Sequence, residues 1–257
     1  MSVPGWLEDE RSRLDMLAVL MVLMGLLSFC FLRFINMPYG RYSSSSFGPP
    51  VPARWAWFLQ ELPSFALPVY FIVQHPELGA GNLLLLGAFT LHYLQRTLIF
   101  PFLIRGGKPT PVVSFILAFI FCCYNGYMQS SYICRHSLLK GEWFREPHFI
   151  AGILIFFCGM FINIYSDHIL RNLRKPGETG YKIPRGGMFE YVSGANFFGE
   201  IVEWSGFAVA GWSLPAAAFA IFTALVLSSR AKQHHQWYIE KFEDYPKYRK
   251  ILVPFLY

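Results

Sequence analysis

Residues 55–73 read WAWFLQELPSFALPVYFIV. The run is apolar, and its length is close to the ~20 residues that a helix needs to cross a bilayer. Yet Gln60 and Glu61 stand side by side inside it. An ionisable group at bilayer depth is costly, so it marks a functional site, an ion path or a buried pair. If this run spans a membrane, Glu61 works inside one.

The rest of the chain supports the spanning reading. Of 257 residues, 54% are hydrophobic and 18% aromatic, and only 15% are charged. A soluble domain carries about 25% charged residues. Apolar runs recur, giving candidate spans at 14–34, 56–73, 83–103, 112–133, 149–173, 197–212 and 214–238. The expected fold is an all-α membrane protein with seven transmembrane helices, one integral domain over residues 1–257. The sixth span is short, and the seventh runs past its apolar part. Pro63, Pro68 and Pro101 imply kinks that neighbouring groups must repair. The first run is too long for a cleavable signal and has no small-residue cleavage site, so it reads as the first span. The five cysteines, odd in number and mostly inside apolar runs, point to neither a disulfide framework nor a zinc site, and no metal is expected. Residues 43–46, four serines in a row, read as a loop.

Lysine and arginine set the orientation, because cytoplasmic loops carry an excess of both. With seven spans, sixteen of them share the side of the C-terminus: Arg33, Arg41, Arg54, Arg105, Lys108, Arg171, Arg174, Lys175, Lys182, Arg185, Arg230, Lys232, Lys241, Lys247, Arg249 and Lys250. Five lie opposite: Arg11, Arg13, Arg135, Lys140 and Arg145. The expected topology has the N-terminus outside and the C-terminus cytosolic. The net charge of +6 then needs no nucleic acid to explain it.

Polar residues within the spans fall in two groups. On the fifth span Asn163, Asp167, Arg171 and Arg174 follow at spacings of 4, 4 and 3, one helical face. On the sixth, Asn196, Glu200 and Glu203 follow at 4 and 3, and on the seventh Arg230, His234 and Tyr238 at 4 and 4. All three faces lie toward the cytosolic ends. Between the fifth and sixth comes KPGETGYKIPRGGMFEY, rich in glycine and proline and carrying Lys182 and Arg185. Solvated helix ends would explain any one of these residues, but they explain three converging faces and a basic loop poorly. Arginines suit phosphate bidentately, and glycines let backbone amides approach it. A nucleotide entering from the cytosol fits, without the GxGxxG of a Rossmann site.

The second group lies deeper, on the first half of the chain: Gln60 and Glu61, then His92, Tyr93 and Arg96, then Asn125 and Gln129. Interhelical hydrogen bonding accounts for Asn125 and Gln129. It accounts less well for Glu61. A neutral carboxylic acid or a tyrosine hydroxyl can donate a hydrogen bond to a substrate carbonyl.

At these residues the sequence resembles the steroid 5α-reductase family, closest to its type 1 branch. The resemblance rests on PARWAWFLQELPSFALP, RTLIFPFLIRGGKP, NIYSDHILRNLRKPGETGYKIPRGGMFEYV, GEIVEWSGFAVAGWSLP and EKFEDYPKYRKILVPFLY. It covers roughly residues 36–257. One departure is Tyr165, where the family motif carries histidine; Tyr165 lies off the Asn163–Asp167 face, and little effect is expected. The resemblance implies an NADPH-dependent membrane reductase of 3-oxo-Δ4 steroids such as testosterone or progesterone. Asn163, Asp167, Arg171, Arg174, Tyr181, Lys182, Asn196, Glu200, Arg230, His234 and Tyr238 match the family's nucleotide positions. Gln60, Glu61 and Tyr93 match its residues at the 3-keto end of the steroid, with Trp57 and Phe222 lining the apolar cavity. It further implies membrane-embedded spans 1–4 serving the steroid and 5–7 the cofactor. The expected setting is the endoplasmic reticulum of a eukaryote or the inner membrane of a bacterium, with the chain a monomer. Two other readings stay open at this point. One is a membrane methyltransferase of the isoprenylcysteine type, which shares the C-terminal architecture; the other is a proton-coupled transporter using Glu61 and His92.

Overall fold

The computed structural model describes residues 9–137, 142–175, 178 and 180–257. Lys140, counted above among the basic residues opposite the C-terminus, and Pro176, Gly177 and Thr179 of the basic loop lie outside the described residues. Seven long helices follow one another: α1 (Glu10–Phe31), α2 (Ala53–Gln74), α3 (Ala80–Leu103), α4 (Val112–Arg135), α5 (Pro147–Arg171), α6 (Ala195–Gly211) and α7 (Leu214–Lys241). Each coincides with one expected span to within a few residues. Local signals start several of them. The Asp9 carboxylate accepts the Ser12 N–H at the head of α1, and the Ser213 hydroxyl accepts the Ala216 N–H at the head of α7. A proline opens α5, where a missing N–H costs nothing. Six helices are long and apolar enough to cross a membrane; α6, at 17 residues, is not among them. At 1.5 Å per residue α6 reaches about 25 Å, short of a hydrocarbon core of about 30 Å.

α5 and α6 form the tightest pair. A Cβ on Gly159 would run into the backbone of Glu203, and one on Gly199 into the backbone of Asn163. Glycine lets two membrane helices approach this closely, trading side-chain volume for backbone contact. Around this pair an aromatic core gathers Phe89 of α3, Phe156 of α5, Trp204 and Phe207 of α6 and Phe219 of α7, with Trp204 and Phe219 ring centres 4.4 Å apart. α1 packs on α7 and α2 on α4, where Gly126 faces the Pro63 carbonyl.

Of the three expected proline kinks, two are absorbed: α2 stays helical through Pro63 and Pro68. The third is different. Ahead of Pro101, residues Gln95–Ile99 form a π-helical turn in which the Phe100 N–H bonds the Gln95 carbonyl. Such widened turns occur at functional sites. This one holds Arg96 and Thr97 in the interior.

At one end of the bundle, residues 32–52 cross between α1 and α2. The 43–46 stretch is loop, as expected, with a short 3₁₀ turn at Ser45–Phe47. Strand β1 (Pro50–Val51) pairs antiparallel with β2 (Thr110–Pro111) from the α3–α4 connection. Gln233 of α7 donates to the carbonyls of Leu32 (2.8 Å) and Ile35 (3.1 Å), and the Ser114 hydroxyl donates to that of Pro38 (2.9 Å). The crossing segment is therefore held over the ends of α4 and α7. On the same end the C-terminal tail pairs with the segment before α6: the Lys250 N–H donates to Tyr191 O and the Ser193 N–H to Lys250 O, each at 2.9 Å.

Candidate active site

Beneath the crossing segment lies a cavity of about 440 Å³. Every helix except α1 contributes to it. α2 supplies Trp57, Gln60 and Glu61; α3, Arg96 and Phe100; α5, Asp167 and Arg171; α6, Asn196 and Glu200; and α7, Arg230 and His234. Met37 and Tyr39 of the crossing segment close over it, with Thr110 and Ser114 beside them. Parts of the two polar groups read as separate in the sequence, Gln60, Glu61 and Arg96 of one and Asp167, Arg171, Asn196, Glu200, Arg230 and His234 of the other, thus share one space.

The join between them is Arg96. Its Nη1 donates to Asp167 Oδ2 at 3.2 Å, linking α3 to α5. Its guanidinium also lies over the rings of Trp57 (4.8 Å) and Phe100 (4.5 Å). The other Asp167 oxygen accepts from Asn196 Nδ2 at 3.2 Å. Asn163 sits just below, donating to the Asn196 carbonyl at 2.9 Å and to Glu200 at 3.4 Å. Asn163, Asp167, Asn196 and Glu200 form one hydrogen-bonded unit.

Glu61 is half-buried on the cavity wall. Gln60 Nε2 donates to it at 3.4 Å, and the Cys122 thiol lies 3.6 Å from its second oxygen. Tyr93 does not line the cavity. It is buried behind the wall near Ser64 and Cys122, and its hydroxyl accepts from Asn125 Nδ2 at 3.5 Å. Deeper still, His92 Nδ1 and Glu203 meet at 2.8 Å, both buried. Glu203 therefore leaves the cofactor face on which its spacing placed it and belongs to the packing around Trp204, whose ring lies 4.6 Å from His92.

Four arginines line the cavity: Arg96, Arg105, Arg171 and Arg230. Among the described residues only Arg96 has a carboxylate partner. Arg105 donates to Asn172 at 3.3 Å, and Arg171 lies 3.5 Å from His168. Arg230 is stacked on Tyr39 (4.4 Å) and Phe197 (4.6 Å), with its Nε buried and unbonded. Behind the roof, Arg41 lies over Trp237 (4.2 Å) and Tyr238 (4.8 Å) and donates to the Tyr238 hydroxyl at 3.2 Å, its Nη1 again buried and unbonded.

Other expected site residues sit apart. Arg174 lies beyond the end of α5, exposed. Lys182 is exposed and paired to Glu178, whose carboxyl it holds below the usual range through a side-chain hydrogen bond. Tyr181 packs edge-on to Trp237 at 4.9 Å. Tyr238 is buried under Arg41 rather than on the cavity wall. Phe222 stacks on Phe121 at 4.6 Å, away from the cavity. Conversely, Tyr39, Arg41 and Arg105 carried no signal in the sequence beyond their charge or their place in a loop.

The sequence profile of the family described as 3-oxo-5-alpha-steroid 4-dehydrogenase matches residues 108–257. The chain is 59% identical over 251 residues to "3-oxo-5-alpha-steroid 4-dehydrogenase 1" of Rattus norvegicus, covering 96% of this chain and 97% of the relative. It is 53% identical over 251 residues to the protein of that name from Homo sapiens, with 96% and 97% covered. To "3-oxo-5-alpha-steroid 4-dehydrogenase 2" of Homo sapiens it is 48% identical over 223 residues, 85% of this chain and 87% of the relative. The likeness thus runs further toward the N-terminus than the quoted motifs do.

Proposed function

The chain belongs to the 3-oxo-5-alpha-steroid 4-dehydrogenase family, and from that premise we propose that it reduces the Δ4 double bond of 3-oxo steroids with NADPH. The observation that carries the cofactor assignment is the excess of unneutralised arginine. Arg105, Arg171 and Arg230 face one cavity without a carboxylate, and the Arg230 Nε and Arg41 Nη1 are buried and unbonded. Buried donors without partners are costly, and a phosphate-bearing ligand supplies the missing acceptors. The donor set fits such a group. Arg171, Arg230 and Arg105 hold the phosphates, with Arg41 behind them. Asn196 and Glu200 hold the amide-bearing end, since an amide needs both donors and acceptors, with Asn163 fixing the two of them from below. When bound, the nicotinamide supplies the hydride.

The chain's own residues do the rest. Trp57 and the apolar wall orient the flat steroid with its 3-keto group at Glu61. As C5 gains hydride, negative charge develops on the C3 oxygen. Donors already fixed at that oxygen stabilise the transition state more than the ground state. Glu61 donates there, Gln60 holds its carboxyl, and Tyr93 backs the wall from behind, where its hydroxyl accepts from Asn125. C4 then takes a proton from water, completing addition across the double bond. We take the cavity mouth and the C-terminus as cytosolic, a reading that the sixteen-to-five asymmetry of basic residues supports, with the chain a monomer in the endoplasmic reticulum of a eukaryote or the inner membrane of a bacterium.

The test is incubation of detergent-purified protein with NADPH and testosterone. Formation of the 5α-reduced ketone with matching NADPH consumption is expected. Consumption of neither refutes the proposal.

A further inference from the structure

Gln233 of α7 is buried three residues past Arg230, and the reaction as derived so far gives it no task. Its side-chain amide is spent on the crossing segment. Nε2 donates to the Leu32 carbonyl at 2.8 Å and to the Ile35 carbonyl at 3.1 Å, and Oε1 accepts the Met37 N–H at 3.4 Å. Its main-chain carbonyl accepts the Tyr42 hydroxyl at 3.0 Å. Four hydrogen bonds thus join one residue to residues 32–42. The residue type follows from what it meets. Leu32 caps the end of α1, where the last carbonyls have no partner within their helix. Two carbonyls that need donors and an N–H that needs an acceptor call for an amide; a glutamate brings no donor, and a lysine no acceptor. Past the clamped Met37 comes Tyr39. The Arg230 guanidinium lies over its ring at 4.4 Å, and Trp57 meets it edge-on at 6.5 Å. Tyr39 therefore reaches from the arginine assigned to the phosphates to the tryptophan assigned to the steroid.

We propose that Gln233 is a positioning residue for the cofactor: by pinning residues 32–42 to α7 it keeps Tyr39 over the cavity and so sets how long NADPH stays bound. The proposal rests on the reductase reading and adds to it the residue that governs cofactor exchange. A ligand held by Arg230 leaves past Tyr39, and Tyr39 lifts only when the Gln233 bonds give way. Cofactor has to enter and leave in every turnover, so the clamp must yield as well as hold. Hydrogen bonds at the end of the bundle do both, because water replaces each one as the segment lifts and the net cost of breaking it is small. Gln233 touches no reacting group; it acts through Tyr39 and the main chain of the segment.

The test uses the full chain in detergent, with every variant scored as monodisperse protein. Gln233→Met keeps length and bulk and removes the three side-chain bonds. NADPH dissociation, followed by stopped flow as the loss of energy transfer from tryptophan to the nicotinamide, should quicken about 10- to 100-fold, the worth of about two net hydrogen bonds. Tyr42→Phe removes one bond and should quicken it about fivefold. Ser43→Ala removes a bond to the Pro109 carbonyl beyond the clamp and should leave it unchanged. KM for NADPH should rise in Gln233→Met while kcat at saturating NADPH does not fall. In ligand-free protein, hydrogen exchange at the amides of residues 37–43 should quicken in Gln233→Met, a readout that needs neither cofactor nor activity. Three results overturn the proposal: Gln233→Met releasing NADPH at the wild-type rate, faster release without faster amide exchange or the reverse, or Ser43→Ala releasing as fast as Gln233→Met. Each of these leaves the reductase reading standing, whereas failure of the wild type to bind NADPH sinks that reading and the proposal together.

Discussion

The Arg96–Asp167 pair is the hinge between the two halves of the site, and its worth can be measured. Asp167→Leu removes the carboxylate and roughly keeps its volume. Arg96, only 9% exposed, is then left charged and unpaired. Removing one partner of a buried pair costs about 3–5 kcal/mol. The pair borders an open cavity, so water partly relieves the charge, and the lower end applies. Asn196 also loses its acceptor, adding about 1 kcal/mol. The Trp57 and Phe100 rings stay in place and offset nothing new. The single variant should therefore lose about 3–4 kcal/mol. Arg96→Met with Asp167→Leu removes both charges and fills the space with apolar atoms, a change that is often near neutral. The double variant should recover all but about 1 kcal/mol, giving a coupling of at least about 2 kcal/mol. Thermal unfolding in detergent, followed by tryptophan fluorescence, reads this directly. For a chain of this length each kcal/mol shifts Tm by about 2–4 °C, so the single variant should fall by about 6–16 °C. If the two single losses simply add in the double variant, the pair is not a coupled unit and the reasoning fails.

Four other outcomes are expected. Glu61→Leu should lower kcat about 10²–10³-fold, the cost of one oxyanion donor, with Glu61→Gln losing less and NADPH affinity kept in both; steroid turnover beside NADPH titration checks it. Arg171→Ala and Arg230→Met should each weaken NADPH binding by about 1.5–3 kcal/mol, about 10- to 150-fold in Kd, and wild-type affinity in both would move the cofactor elsewhere. Gly159→Ala pushes a methyl into the Glu203 backbone and should cost about 1–3 kcal/mol, while Gly87→Ala, with open space around it, should cost nothing; unfolding of the two side by side is the control. Tags at the two termini should be accessible from opposite faces of sealed vesicles, and the same face for both would remove the seven-span topology.

Much of the helical framework was legible from residue type alone. Apolar runs near bilayer length have one low-energy form in lipid, because every backbone group must bond within its own segment. That is why seven candidate spans became seven helices. Periodicity also grouped part of the cavity lining: Asp167 with Arg171, Asn196 with Glu200, and Arg230 with His234 each share a face and each line the cavity. What periodicity lacks is depth. Glu203 shares the face of Asn196 but lies seven residues further on, about 10 Å along the axis, below the cavity floor and against His92. Arg174 fails at the other end, because α5 stops at Arg171. Phe222 lies two turns deeper than Arg230, in the contact with Phe121.

Partners across the bundle were equally out of reach. Nothing in the sequence assigned Arg96 an acid; the folded bundle brings it to Asp167 on α5 at 3.2 Å. That choice depends on the widened turn before Pro101, which turns Arg96 inward, and on how closely the glycines of α5 and α6 bring Asn196 to Asp167. Tyr39 and Arg41 lie in a segment with no period at all, and only its hydrogen bonds to α4 and α7 carry them over the cavity. The chain's chemistry determined which groups are costly inside a membrane and which helices bear them. The tertiary packing decided which of those groups satisfy one another and which arginines are left facing the cavity without an acid. A charge's partner is set by distances of a few ångströms across helices, and those distances follow from small residues at the helix contacts, not from spacing along any one helix.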